Sequence, residues 1–541
     1  MTSRSPTSLF SSKLQMLRRT SWILFSFLIV LTCARLVWAA YSELLPDEAY
    51  YYLWAQHPNV CYYSNGPGIA FSILAGTSIF GRSELGVRLL SPFFALGTSL
   101  LLYFLARRLY RERIAFWLVV LLNLTPLFNS AACFMTIASL SLFFWTAAMV
   151  CFSLAIHENP DRLPFWALTG FLIGCGFLCD YANAFQLISV LIFLVTAAKH
   201  RREFRRPGIY VLLGIFCLFL APPIIWNVQH DWIGLVPLSS EIEPHTHLPA
   251  RFSALLQFVG HQLAVFSPLF FVAMVTALIG SIPRAFRSSK VAFLLSFSWP
   301  ILLIGLITIF EHLTQPSWIA LGFVSLSVLT VAWWLDVPPQ NRIFRILAVV
   351  AVVTAGASSL LGLNTDLLRT VGFNLSYSSD PWTSLRGWKT ATAEIQRFRS
   401  SFEQKLGEPV FLIGNGYQTA AIVSFYLRDP RVEDPGHPPV YIPESQNIEN
   451  EFSFWPRYDE FVEPADKSEI NSLFSEQAGV NPFINRTALY ITDSPEEMPP
   501  QNLQNSFTRW ELVDHFQVNR RDKPLRQFRI FACYQYQTLP L

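Results

Sequence analysis

Between Ser21 and Leu363 the chain repeats apolar runs of about 20 residues, the length a helix needs to cross a hydrocarbon layer about 30 Å thick. No other feature narrows the fold as far. A backbone in lipid must satisfy its own N–H and C=O groups, so such runs fold as helices packed on one another. The runs fall at 21–41, 86–106, 114–133, 136–156, 163–180, 183–198, 208–226, 256–280, 291–310, 317–335 and 343–363, about eleven in all. Composition agrees: 52% of the 541 residues are hydrophobic and 14% are charged, which is not a soluble balance. The expected fold is an all-α polytopic membrane domain over 1–363, followed by a smaller soluble domain.

Lys13, Arg18 and Arg19 precede the first run, which is long enough to span and has no convincing cleavage context after Ala40, so an uncleaved helix starting in the cytoplasm is expected. Every second connection then carries the basic residues: Arg107 to Arg113, Lys199 to Arg206, Arg284 to Lys290, and Arg342 with Arg345. That pattern obeys the positive-inside rule. It puts loop 42–85, the segment 227–255 and everything after 363 on the outer, non-cytoplasmic side of a membrane crossed many times. The net charge of +3 is too small for nucleic-acid binding in a chain this long, and no nucleic-acid motif is present. Eight cysteines show no C-x-x-C pair, and only Cys61 and Cys533 lie outside apolar runs, which leaves a bridge between those two open.

From about residue 364 charges, proline and glycine enter and no spanning run follows. Short apolar runs, PVFLIG at Pro409–Gly414 and TALYIT at Thr487–Thr492, alternate with a helical pattern around Ala391–Phe402. A small α/β domain over 364–541 is expected.

The chemistry concentrates in Leu44–Ile69, LLPDEAYYYLWAQHPNVCYYSNGPGI, where Asp47 and Glu48 stand just past an apolar span. Acids beside a membrane are costly unless they meet water, a cation or a substrate. Two readings stay open. Asp47 after Pro46 is a good helix cap and Glu48 suits a first turn. The aromatic run Tyr50-Tyr51-Tyr52 with Trp54 suits a helix lying at headgroup depth, holding a carboxylate at the water boundary where it can act as a general base. In the second outer loop, His245 and His247 with Glu241 and Glu243 offer imidazole and carboxylate groups at loose spacing, open to a metal or to a plain loop.

At this point a resemblance becomes specific. The run PDEAYYYLWAQHPNVCYYSNGPGIAF resembles the first outer loop of glycosyltransferase family 39, the protein O-mannosyltransferase-like group of bacterial membrane proteins. PPIIWNVQHDWIGL at Pro222–Leu235, QPSWIALGFVSL from Gln315, and DPWTSLRGWKTATAEI with SFYL and FWP in the outer domain follow in the family's order. The resemblance implies a GT-C type enzyme that takes a sugar from a polyprenyl-phosphate donor in the membrane lipid and passes it, with inversion, to an extracytoplasmic acceptor: a protein, lipid A or another envelope glycan. It implies Asp47 as the catalytic base and Glu48 as its partner in orienting the acceptor or a divalent cation, with no resident metal site assigned. Arg35, Arg88 and His230 become candidates for the donor phosphate. Tyr51, Tyr63, Asn65, Asp180 and Asn227 complete the set as substrate or loop contacts.

Three positions depart from the family pattern. Ser64-Asn65-Gly66-Pro67-Gly68 replaces the usual H-P-P or K-P-P, Ala138 stands where an Asp is common, and Cys179-Asp180-Tyr181-Ala182 replaces S-K-Y-T. Asp180 is therefore a candidate for a relocated acid. A lipid or glycan transporter, and a catalytically altered assembly partner in envelope glycan synthesis, are the alternatives these departures keep in view.

Overall fold

The computed structural model describes residues 6–157, 163–235, 248–312, 317–336, 342–363, 366, 380–431, 436–445, 447–459, 481–521 and 523–537. It divides into two units, one of 1–41 with 59–367 and the other of 42–58 with 368–541. Loop 42–85, expected to stay with the membrane domain, is thus shared between them.

In the first unit, seven helices among the described residues are long and apolar enough to cross a membrane: Ser21–Tyr41, Glu84–Leu109, Ile137–Ile156, Pro207–Gln229, Pro268–Ala285, Ser289–Phe310 and Ser317–Leu335. Counting each bent pair as one span raises this to nine. The runs at 163–180 and 343–363 form the shorter apolar helices Leu163–Phe177 and Val349–Leu361.

Proline explains where expected runs break. The run at 114–133 is two helices, Glu112–Asn123 and Pro126–Cys133, bent by 68°. Pro126 has no N–H to continue the ladder and pushes Thr125 into extended backbone. The expected single span 256–280 is likewise divided into Leu248–Phe266 and Pro268–Ala285. Ser267, between them, has φ 73, in the left-handed region, so a straight helix cannot pass through it.

The core of this unit is aromatic. Phe152 lies 5.9 Å from Phe193 and 6.1 Å from Phe293, and Phe293 lies 5.0 Å from Phe297, so three elements meet on one cluster. Leu163–Phe177 and Pro207–Leu218 pack backbone to backbone, because a Cβ on Gly170 would stand 2.3 Å from the Leu212 carbonyl oxygen. Buried hydroxyls return to their own helices: Thr146 donates to Leu142 O and Thr330 to Leu326 O, both at 2.7 Å. That removes the cost of an unpaired polar group in an apolar core.

The second unit is an α/β fold on a five-stranded sheet. Strands β1 (Phe411–Gly414), β2 (Val440–Tyr441), β3 (Ala488–Thr492), β4 (Phe507–Arg520) and β5 (Lys523–Tyr536) run in the order β2-β1-β3-β5-β4. β1 pairs in parallel with β2 and β3, and β5 is antiparallel to β3 and β4. The helices Trp388–Leu406 and Tyr417–Tyr426 complete it. PVFLIG and TALYIT supply β1 and β3, whose residues are buried on both faces. Cys61 and Cys533 lie in different units, and all eight cysteines are free thiols.

Candidate functional site

Pro46 begins the helix Pro46–Gln56, with Leu45 in extended backbone before it. Glu48, at the third helical position, turns back so that its carboxylate accepts the Leu45 N–H at 2.9 Å. This satisfies one of the amide groups left over at a helix start. Successive helical residues point about 100° apart, so the neighbouring acids diverge. Glu48 is fully buried, whereas Asp47 is exposed.

Asp47 is held from a distant part of its own unit. Its carboxylate accepts a hydrogen bond from Gln418 Nε2 at 3.1 Å. The protein around it raises its pKa above the usual carboxylate value, the Gln418 bond lowers it, and the Glu48 charge raises it again. A raised pKa makes Asp47 a stronger base than a free carboxylate.

The segment 42–58 is gripped along its length. Glu43 accepts from the Trp388 and Lys389 amides at 2.7 and 3.2 Å, and the Leu44 N–H donates to Tyr426 Oη at 2.8 Å. The Glu451 N–H donates to Tyr50 Oη at 2.8 Å. The Tyr50 ring lies tilted against Tyr417 (4.8 Å), Tyr52 meets Phe425 (4.9 Å), and His57 meets Trp455 (4.9 Å). The aromatic run was expected at headgroup depth. Tyr50, Tyr52 and Trp54 are instead buried in protein, and Tyr51 is half-buried with its ring 5.2 Å from Trp54.

The remaining candidates belong to the membrane unit. Arg35 is buried, with Nε and Nη2 at 3.0 and 2.9 Å from Asn129 Oδ1 and Nη1 at 3.1 Å from Asn123 Oδ1. Those asparagines flank the bend at Thr125, so the guanidinium fastens the two halves of the broken helix. Asn129 in turn donates to Ser359 Oγ at 2.8 Å. Arg88, at the end of Glu84–Arg88, is also buried, with its guanidinium 5.3 Å from the Trp38 ring and 5.2 Å from Phe134. Cation–π contact with two rings steadies its charge.

Two departures from the family pattern prove to touch. In Ser64–Gly68, the Asn65 carbonyl accepts the Tyr62 N–H at 3.0 Å and the Gly68 N–H donates to Leu178 O at 3.0 Å. A Cβ on Gly66 would stand 2.3 Å from Leu178 O, and one on Gly68 2.4 Å from Cys179 Sγ. Cys61 Sγ lies 3.0 Å from Tyr181 Oη. Tyr63 is buried and Asn65 half-buried. Asp180 caps the short turn Tyr181–Ala184, accepting from the Ala182 N–H at 3.0 Å and from Ser141 Oγ at 3.2 Å.

Asn227 and His230 close the helix Ala221–Gln229. The Asn227 side-chain amide donates to Pro223 O at 2.8 Å, and the Asn227 backbone carbonyl accepts the Trp232 N–H at 2.8 Å. His230 stacks on Trp226 at 4.2 Å, with Nδ1 2.8 Å from Trp226 O. Asp231 and Trp232 both have positive φ, 50° and 60°, an uncommon strain for side chains of this size. Glu241, Glu243, His245 and His247 lie outside the described residues. Among the described residues, no three His, Cys, Asp or Glu side chains gather to hold a metal ion.

Local pattern marks Asp47 and Glu48 but not Gln418, which bonds Asp47, nor Tyr417 and Glu43, which hold the segment that carries them. No sequence signal marks Gln418, 371 residues from Asp47.

Comparison with known proteins gives three findings. Residues 56–226 match the family described as dolichyl-phosphate-mannose-protein mannosyltransferase. The lipid A galacturonosyltransferase RgtD of Rhizobium johnstonii is 26% identical over 295 residues, 54% of this chain and 61% of its own length. The chain thus matches under two thirds of that relative. Two solved structures of ArnT from Cupriavidus metallidurans, one without ligand and one bound to undecaprenyl phosphate, share the fold. They superpose with TM-scores of 0.58 and 0.57 at 15% and 16% identity, covering 95% of this chain and 98% of theirs. This is a multi-pass membrane protein with GT-C glycosyltransferase relatives.

Proposed function

From a chain whose relatives are GT-C glycosyltransferases, we propose an inverting membrane enzyme that moves a sugar from a polyprenyl-phosphate donor to a lipid A-like glycolipid on the outer face of the inner membrane. The named activity of the Rhizobium johnstonii relative supports the acceptor class, and the lipid held by one ArnT structure supports the donor class. The basic connections support an N-terminus in the cytoplasm and the second unit outside.

The observation that carries this reading is the divergence of the two acids: Glu48 is buried as a helix cap, while Asp47 stays exposed with Gln418 holding one oxygen. In the proposed step an acceptor hydroxyl attacks the anomeric carbon of the donor. Its oxygen forms the new bond, Asp47 takes its proton, and the bond from the anomeric carbon to the phosphate oxygen breaks with its electron pair leaving on the lipid phosphate. Charge developing there is met by cationic groups, for which Arg88 and His230 remain the candidates. Arg35, enclosed by amides at the bend, is assigned to holding that bend.

The test is transfer from radiolabelled polyprenyl-phosphate sugars to lipid A by the purified chain and by Asp47→Asn. Removal of the base should lower the rate by about 10²- to 10⁴-fold with little change in donor binding. Equal transfer by both proteins removes Asp47 from the role. Donor binding without transfer by either favours the assembly-partner reading.

A further inference from the structure

We infer that the basic connections of the membrane unit assemble into one docking surface for anionic phospholipid headgroups. In sequence these connections are far apart, at 107–113, 198–206 and 284–290. The fold joins them. Lys290 Nζ donates to Leu109 O at 2.5 Å and lies 6.0 Å from the Tyr110 ring, which ties the third connection to the first. His200 Nε2 stands 3.4 Å from Ser289 Oγ, which ties the second to the third.

The centre of this surface is the segment Ala198–Arg205, a 3₁₀ helix of 8 residues. Such helices seldom exceed four residues, so its length calls for an explanation. It leaves the helix Tyr181–Thr196 at 115°, a direction that runs along a membrane surface when the preceding helix runs through the membrane. With three residues per turn, every third side chain falls on one ridge. His200 and Glu203 form a buried ridge, with the His200 ring 5.2 Å from Phe193. Lys199, Arg202 and Arg205 form another, and all three are exposed. Their charges repeat about every 6 Å along the axis.

The acids close to this surface already have partners. Glu203 pairs with Arg206 at 3.2 Å, and Glu112 accepts from Ser21 Oγ at 3.0 Å and from Tyr103 Oη at 3.3 Å. What faces outward is cationic, including Arg107, Arg111 and Arg287 on the two flanking connections. Arg284 lies over the Trp333 ring at 4.2 Å, an amphipathic pairing suited to the boundary between lipid and water. A row of cations where apolar spans end meets phosphate headgroups before any soluble partner. Each Lys or Arg near an anionic leaflet strengthens such binding by about fivefold.

The test compares the full chain with two triple variants by titration of fluorescent phosphatidylglycerol in neutral detergent, and by Tm in nanodiscs of phosphatidylcholine with and without phosphatidylglycerol. Lys199→Gln/Arg202→Gln/Arg205→Gln should weaken phosphatidylglycerol binding by about fivefold per cation and flatten its salt dependence. Lys405→Gln/Arg428→Gln/Arg521→Gln, exposed cations of the other unit, should leave both unchanged. Arg201 is kept, because its Nε donates to Val195 O at 2.8 Å. An unchanged Tm in phosphatidylcholine shows that the first variant folds, and Arg202→Lys/Arg205→Lys should bind as the unaltered chain does. Equal loss in both triple variants, or no preference of the unaltered chain for phosphatidylglycerol over phosphatidylcholine, overturns the proposal. Inorganic polyphosphate bound as tightly as the lipid overturns it in favour of a soluble acidic partner.

Discussion

Asp47 and Glu48 differ by one methylene and stand side by side, yet position on the helix separates a capping group from an exposed carboxylate. The Gln418 hydrogen bond lowers the pKa of Asp47 against the rise caused by the protein packed around its carboxylate. Gln418→Leu removes that bond, so the Asp47 pKa rises further. A general base works deprotonated, and activity is lost as pH falls through its pKa. The acid limb of the rate against pH should therefore shift to higher pH in Gln418→Leu, with donor KM little changed. A limb that stays in place while the plateau falls would mean that Gln418 supports the fold and not the base. Asp47 is legible in sequence because its signal is local: a carboxylate between a proline and aromatic residues at a span end. Gln418 is not, because a glutamine beside Tyr417 is chemically ordinary until folding brings it to 3.1 Å from Asp47. Arg35 shows the opposite case, a cation whose rarity in an apolar run drew attention to it. Its hydrogen bonds to Asn129 and Asn123, which no local pattern announces, tie it across the bend.

Elements were legible where one signal, apolarity, sets both length and partner. The spans are of that kind, and so are β1 and β3, buried on both faces. The hairpin of β4 and β5 is not legible because half of β4 is exposed and the strand carries charges such as Arg509, Glu511 and Asp514, which blur the apolar alternation. Element starts were hidden for a related reason. The helix Trp388–Leu406 begins after Gly387, φ 87°, which has no side chain to cap it. Glu43 supplies the acceptor from 345 residues away. Glu43→Ala should lower the stability of the second unit by about 1–2 kcal/mol, read as a shift in its denaturant midpoint, whereas an ordinary surface glutamate would shift nothing. In the membrane unit, Gly66→Ala forces a Cβ onto the Leu178 carbonyl, backbone against backbone. Neither side can yield by rotating a side chain, so a loss of about 1–3 kcal/mol is expected, seen as a lower Tm in detergent. A tolerated alanine would show that the SNGPG turn can move off Leu178.

At the scale of the whole molecule, the segment that carries Asp47 folds with residues 368–541, although 59–367, the larger part of the membrane unit, lies between them in sequence. Whatever unfolds the second unit takes the proposed base with it. Glu444 provides a handle on that unit. It is 2% exposed, and burial pushes its pKa up to about 7, opposed by the Tyr536 hydroxyl, with Asp459 raising it and Arg457 lowering it. Unfolded, it would titrate near 4.5. Between those values the folded unit keeps a proton that the unfolded chain releases, so stability falls as pH rises across the window and levels off above it. The change amounts to about 3 kcal/mol. Glu444→Gln binds no proton in either state and should lose this slope, gaining stability over the unaltered chain at pH above about 7 and little near pH 4.5. Calorimetry at the upper pH should then show the second unit's transition moving up while that of the membrane unit stays. The temperature at which transfer activity is lost should rise with it, because Asp47 belongs to the unit that was stabilised. An activity loss that stays at the same temperature while the second unit's transition moves would place the limiting structure in the membrane unit. The role of residues 42–58 as part of the second unit's fold would then not extend to catalysis.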